Sequence, residues 1–178
     1  ALINYHGLPQ AAHAYNVLKD SIPQCFLSMR NNQFSHRSLK NIPKIIDQGN
    51  HQGPLSGILS AMAEYPKTSW LVIACDMPLI NKFTIEMLIN QRATKMLGTA
   101  FSIGDKPQPM CAIYEARTQK ILKSIYLRGQ GPSQLFKSAE AKLITLNDPS
   151  SLTNANDPKD YDKIIKTITA RASDSTPS

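Results

Sequence analysis

A chain of 178 residues, 42% hydrophobic and 19% charged, is long enough for one domain with its own core and too apolar to be disordered. The three cysteines lie far apart in apolar runs with no CxxC spacing, which gives a zinc site or redox pair little support, and no apolar stretch nears the ~20 residues that span a bilayer. The formal charge of +7 favours anionic partners such as nucleotide phosphates, nucleic acid or a phosphorylated small molecule, although cationic solubility alone accounts for it equally well.

In chain order, short β-like runs alternate with helix-like segments. Pro9 to Lys19 has helical spacing, with Ala12, Tyr15 and Leu18 on one side. Cys25-Phe26-Leu27 and Lys44-Ile45-Ile46 read as short strands. Pro54 to Glu64 reads as a helix, with proline in the first turn, where its missing N–H costs nothing, and Leu55, Ile58, Leu59 and Met62 at helical spacing. Trp70 to Cys75 is continuously apolar and rich in β-formers, as a strand covered on both faces must be. Ile80 to Met96 reads as a helix, Gly98 to Ile103 and Pro109 to Tyr114 as strands, and Ala116 to Leu127 as a helix. Ser133 to Ser138 fits a short helix, Lys142 to Leu146 a late strand, and Pro158 to Ile168 a final helix capped by Asp157. Arg171 to Ser178 is polar and is expected to be a disordered tail. Such alternation implies an α/β fold, a mostly parallel sheet with helices on both faces, whose ligand lies beyond the carboxyl ends of the strands.

Four positions follow strands or precede helices in the right places. Asp76, in Ala74-Cys75-Asp76-Met77-Pro78, suits a Mg²⁺ held by one or two carboxylates plus substrate phosphates, or else caps the next helix. Gly53-Pro54-Leu55-Ser56-Gly57 lets backbone approach a ligand where a helix N-terminus favours an anion, or is an ordinary entry into a helix. Asp47 follows a strand shortly before that turn, as a site carboxylate or a turn residue. Asn154-Ala155-Asn156-Asp157-Pro158 offers amides that cap a helix or hold a polar ligand.

The order and spacing of these segments resemble the molybdenum cofactor guanylyltransferase family. The likeness is strongest from Pro43 to Leu79. It extends to Gly7-Leu8-Pro9 and to Pro107-Gln108-Pro109-Met110-Cys111-Ala112-Ile113-Tyr114, and so covers about residues 1–170 as one nucleotidyltransferase domain, with 171–178 as tail. The resemblance implies a Rossmann-like three-layer α/β/α fold. It implies transfer of GMP from GTP to molybdopterin or molybdenum cofactor, with loss of pyrophosphate, in the cytoplasm and with Mg²⁺. Asp76 would bind the metal and act as the catalytic carboxylate. Ser28, Asp47, Gly53, Pro54, Leu55, Gly57 and Asp76 would form the nucleotide site, and Asn154 and Asn156 would lie on the molybdopterin side. Molybdoenzymes or other cofactor-biosynthesis proteins are further partners; nucleic acid and membrane are not expected.

The chain departs from the family pattern in three places. The family begins with a strand and a glycine-rich signature, LAGGxSxRMGxDK, whose arginine and lysine neutralise the triphosphate. Ala1-Leu2-Ile3-Asn4-Tyr5 resembles the family's stretch directly after that lysine, so a polypeptide continuing upstream is the favoured expectation. Pro132-Ser133-Gln134-Leu135 stands where relatives often carry an arginine, although Arg128 supplies charge nearby, and Ala155 and Asp157 replace the more usual Val and Thr. The alternatives are a transferase for CTP or a sugar phosphate, and a non-catalytic nucleotide-binding or assembly module. Arg30, His36, Arg37, Lys40 and Lys44 form a basic stretch that reads as a solvated face or an anion guide. His6, His13, His36 and His51 lack metal-ligand spacing.

Overall fold

A computed structural model describes residues 1–31, 37–48, 53–146, 148–155 and 158–174. The elements are α1 (Gln10–Lys19), β1 (Leu27–Met29), β2 (Lys44–Ile46), α2 (Pro54–Glu64), β3 (Trp70–Ile73), α3 (Lys82–Asn90), β4 (Gly98–Ile103), β5 (Lys106–Tyr114), α4 (Gln119–Leu127), β6 (Lys142–Thr145) and α5 (Pro158–Asp174). Short 3-10 turns lie at Arg37–Leu39, Ala116–Thr118, Pro132–Lys137 and Pro149–Leu152.

The strands form two sheets. β1 and β2 pair in parallel, Leu27 opposite Lys44 and Met29 opposite Ile46. The larger sheet has the order β3-β5-β4-β6, with β6 parallel to β4 and β5 antiparallel to both β3 and β4. Three of its four strands thus share a direction and only β5 is reversed. The reversal comes from the tight turn at Gly104-Asp105, where Gly104 has φ 56° and a side chain would be strained.

Both faces of this sheet are buried, which explains why its strands read as apolar runs. On one face Leu55, Ile58 and Met62 of α2, and Leu122 and Ile125 of α4, pack on Ala100, Ala112 and Tyr114 with Leu135 and Phe136. On the other, Ile85 and Leu88 of α3 pack with Met77 and Ile80 on Phe101, Cys111, Ile113 and Ile144. Strand residues one apart go to opposite faces, as the pleat requires. The result is three layers, helix–sheet–helix.

Several expected boundaries move. β1 begins at Leu27 rather than Cys25, because Leu27 is the residue whose N–H reaches the Pro43 carbonyl, at 2.8 Å, and starts the ladder with β2. Ser28 is therefore inside the strand, not after it. α3 spans Lys82–Asn90, short of the expected 80–96, since Asn81 caps its start and Gln91 ends it. α5 runs to Asp174, past the expected end at Ile168 and into the expected tail. The Asp157 cap lies outside the described residues.

Among the described residues no strand ladder joins β1 to β3. The edge of β1 away from β2 and the edge of β3 away from β5 border one apolar slot, lined by Leu27, Met29, Leu71, Ile73 and Cys75.

Candidate functional site

β3 delivers Asp76 to the carboxyl end of the larger sheet. The ladder outlasts the strand by one bond, Ala74 N–H to the Met110 carbonyl at 2.8 Å, and the chain then turns through Asp76-Met77-Pro78. The Asp76 carboxylate is half-buried, and its Oδ1 is shielded from solvent without a hydrogen-bond partner. A buried carboxylate oxygen in that state is costly unless a cation meets it. The capping alternative for Asp76 falls, because Asn81 does that work. Its side-chain oxygen accepts from the Thr84 N–H at 2.9 Å and from the Thr84 hydroxyl at 3.1 Å.

A second carboxylate stands at the end of β2. The Asp47 N–H donates to the Met29 carbonyl at 2.9 Å, extending the β1–β2 ladder, and Asp47 Oδ1 accepts the Ser56 hydroxyl at 2.5 Å. Gln48 N–H donates to Ser60 Oγ, which donates back to the Ser56 carbonyl, both at 3.0 Å. These bonds tie the end of β2 to the first turns of α2, so Asp47 and the helix entrance are held together.

The two glycines of Gly53-Pro54-Leu55-Ser56-Gly57 serve different ends. Gly53, before the helix, has φ 140°, and a Cβ there would meet nothing within 4 Å. Its need is conformational. Gly57 is buried, and a Cβ there would sit 2.5 Å from Ser28 Oγ. Its missing side chain lets α2 close on β1.

A cleft of about 890 Å³ gathers Ser28, Asp47, Gly53, Pro54, Gly57 and Asp76 in its walls. Leu55 is the exception in the nucleotide set. Its side chain is 3% exposed and belongs to the core, so only its backbone is on offer. Asn154 is exposed and does not line the cleft, although the neighbouring Ala155 N–H donates to the Asp76 carbonyl at 2.8 Å. Asn156 lies outside the described residues, as do His36 and His51. A smaller hollow of about 450 Å³ separates the start of α2 from Tyr126, Leu127 and Gly129 to Pro132. Arg128 beside it bonds Ser124 Oγ at 2.6 Å and Gln130 at 3.0 Å. Lys44, read as an anion guide, instead staples its own loop by bonds to the Lys40 and Ile42 carbonyls.

Among the described residues no three of His, Cys, Asp and Glu converge into a metal cage. A Mg²⁺ shared with substrate phosphates needs only one or two carboxylates, and the unpaired Oδ1 of Asp76 fits that demand. The thiols carry no such arrangement. Burial pushes Cys111 up to about 12 and raises Cys25 and Cys75.

Sequence reasoning missed the grouping of His6, Gln10 and His13, which gather behind the Asp76 turn. The His6 and His13 rings stack with centroids 3.7 Å apart, and burial, then the neighbouring His6, lowers His13 to about 4. The available signal was Gln10 and His13, polar residues one helical turn apart around the buried Ala11, Ala12 and Ala14.

With that geometry in place, the chain can be set beside known proteins. A family model described as a MobA-like NTP transferase domain matches residues 1–143. The molybdenum cofactor biosynthesis bifunctional protein of a Synechocystis species is 35% identical over 92% of the chain, which spans 48% of that relative. The chain thus covers about half of this bifunctional relative. The molybdenum cofactor guanylyltransferase of Pseudomonas putida is 25% identical over 89% of the chain and 84% of its own length. Among solved structures, the molybdopterin-guanine dinucleotide biosynthesis protein A of Archaeoglobus fulgidus shares the fold, with a TM-score of 0.72 at 17% identity over 95% of this chain and 90% of the other. A 4-diphosphocytidyl-2C-methyl-D-erythritol synthase does so with a TM-score of 0.74 at 10% identity over 94% and 93%.

Proposed function

The chain belongs to the MobA-like NTP transferase family, and from that premise we propose that it transfers GMP from GTP to molybdopterin or molybdenum cofactor, releasing pyrophosphate. The observation that carries the reading is the Asp76 carboxylate at the end of β3, with one oxygen buried and unpaired beside the cleft. The relatives named as guanylyltransferases support guanine as the base.

In this reaction a phosphate oxygen of the acceptor attacks the α-phosphorus of GTP. Two anions must meet, so the site has to neutralise charge and align the groups. Asp76 would hold a Mg²⁺, and the ion would supply Lewis-acid charge neutralisation at the phosphates. The N–H groups at the start of α2 favour the anionic nucleotide from one wall. Asp47, fixed by Ser56, and Ser28 on β1 would define the nucleoside end, while Asn154, exposed outside the cleft next to the Ala155 contact with the Asp76 turn, is assigned to the acceptor side. The chemistry requires no protein nucleophile. GTP and molybdopterin are the substrates. Molybdoenzymes or other cofactor-biosynthesis proteins receive the product, in the cytoplasm, where the three free thiols suit a reducing environment.

A CTP-using reading has one observation in its favour, the equally close fold of the diphosphocytidyl synthase. One experiment decides between the two. GTP, CTP and ATP are titrated calorimetrically with and without Mg²⁺, on this chain and on one extended upstream by the family's strand and glycine-rich loop. GTP-selective, Mg²⁺-dependent binding that collapses in a folded Asp76→Ala variant is the expected result. CTP preference would move the assignment to cytidylyl transfer. Absence of nucleotide binding in both versions, or binding that survives Asp76→Ala, would overturn the site as assigned.

A further inference from the structure

Asp76 is useful only if its carboxylate points the right way, and three consecutive peptide carbonyls of its turn are held by residues from two remote parts of the chain. The Asp76 carbonyl accepts the Ala155 N–H at 2.8 Å, the Met77 carbonyl accepts Gln10 Nε2 at 3.1 Å, and the Pro78 carbonyl accepts His6 Nε2 at 2.7 Å. The His6 ring is stacked on His13 with an interplanar angle of 10°, so its orientation is set from behind. A turn gripped at every carbonyl has little freedom to rotate its peptide planes, and the direction of the Asp76 side chain depends on them.

Gln10 shows that this grip is kept against the interest of stability. Its side chain is 1% exposed, and its Oε1 is buried with no hydrogen-bond partner. An orphaned acceptor of that kind carries its full desolvation penalty. The surroundings are apolar: Ala11 and Ala12 follow it and Met77 lies opposite. A leucine would fill this position without the orphan, so the amide is explained by what its N–H holds.

The structure assigns His6 and Gln10 as positioning residues for the Asp76 carboxylate, with His13 as the stacked support of His6. They act through the Met77 and Pro78 carbonyls and touch no substrate. The assignment rests on the metal role of Asp76 proposed above. It goes beyond that role by naming what aims the carboxylate and by locating this control in His6 and Gln10, which stay out of the cleft walls although Ala11, Ala14 and Tyr15 of α1 line them.

Metal affinity tests the assignment without relying on turnover. Mn²⁺ binding to the full-length protein saturated with GTP is followed by electron paramagnetic resonance, for wild type, Asp76→Asn, Gln10→Leu, His6→Ala and His6→Gln. GTP affinity in excess chelator and thermal unfolding are recorded alongside. Gln10→Leu and His6→Ala are expected to weaken Mn²⁺ binding about tenfold, the scale of groups that orient metal ligands from behind. Metal-free GTP affinity should stay within twofold, and Gln10→Leu should melt no lower than wild type. His6→Gln, which keeps an N–H donor, should recover most of the loss. Mn²⁺ affinity within twofold of wild type in both Gln10→Leu and His6→Ala, while Asp76→Asn loses it, overturns the positioning role alone. Equal Mn²⁺ affinity in wild type and Asp76→Asn overturns the metal role and the positioning role together.

Discussion

Gly57 offers a sharp check on how the site is assembled. Replacing glycine by alanine inside a helix stabilises it by about 1 kcal/mol when space allows. Here the new Cβ would lie 2.5 Å from Ser28 Oγ but 3.7 Å from Ser28 Cβ, so the only serious conflict is with the hydroxyl. Ser28 is exposed and can turn its hydroxyl aside, at about 0.5–1.5 kcal/mol if it leaves its preferred rotamer. The two effects nearly cancel, and Gly57→Ala alone should leave stability within about 0.5 kcal/mol of wild type. In a Ser28→Ala background the conflict is gone, and Gly57→Ala should stabilise by about 1 kcal/mol, or raise Tm by about 2–4 °C. Urea unfolding of the four chains, followed by circular dichroism, gives the coupling energy as a double-mutant cycle, with about 1 kcal/mol expected. A coupling indistinguishable from zero, or a Gly57→Ala loss as large without the Ser28 hydroxyl as with it, would refute the close approach of α2 to β1. In that case the glycine would be reserved for contact with a ligand.

Two further outcomes concern acid stability. Glu115 is 6% exposed and accepts two bonds from Arg92 at 2.8 Å and one from Ser69 at 2.7 Å. Burial alone would raise its pKa, but the Arg92 and Ser69 hydrogen bonds win and hold it below the usual carboxylate value. The stability it contributes is therefore complete above about pH 4.3 and is lost as pH falls through the depressed folded value. Glu115→Ala should cost about 2 kcal/mol at neutral pH, below the fully buried range because Arg92 is partly solvated; a loss under 0.5 kcal/mol in chemical denaturation, roughly that of an exposed pair, would contradict this. His13 works in a higher window. Its folded value near 4 lies below the unfolded value of about 6.5, so its contribution is whole above pH 6.5 and drains away between there and pH 4. A shift of this size is about 3 kcal/mol at a fully buried site, and solvent access at the half-buried His13 reduces it to about 1–2 kcal/mol. His13→Gln should flatten the fall of unfolding free energy across that window, and unchanged slopes would count against the buried neutral imidazole.

Much of this architecture was legible because local signals agreed. Pro54 at the first position and apolar residues at helical spacing marked α2 with its observed bounds, Pro54 to Glu64. The continuous apolar run from Trp70 made β3 legible as a strand, although it ends at Ile73 rather than Cys75 and is only half-buried along its length. Asp47, Gly53 and Asp76 were legible as candidates because each stands at a strand end or a helix entrance, and the structure gathers all three in the walls of one cleft. The reversal of β5 left no periodic trace, since alternation is the same whichever way a strand runs. Ser28 was read as lying after a strand because its register depends on Pro43 and Lys44, not on its neighbours. The grip on the Asp76 turn was least legible of all. Gln10 and His6 meet carbonyls 67 and 72 residues away, and a backbone oxygen advertises nothing in a sequence. Leu55 shows the opposite failure: a motif position in the right place whose side chain serves the core.

The slot between β1 and β3 bears on what it would take to make one sheet of two. Two strand edges face each other across apolar walls, and each presents N–H and C=O groups that a strand between them would complete. A single extended segment seated there would join both sheets into one continuous surface and bring the carboxyl ends that carry Asp47 and Asp76 to a common rim.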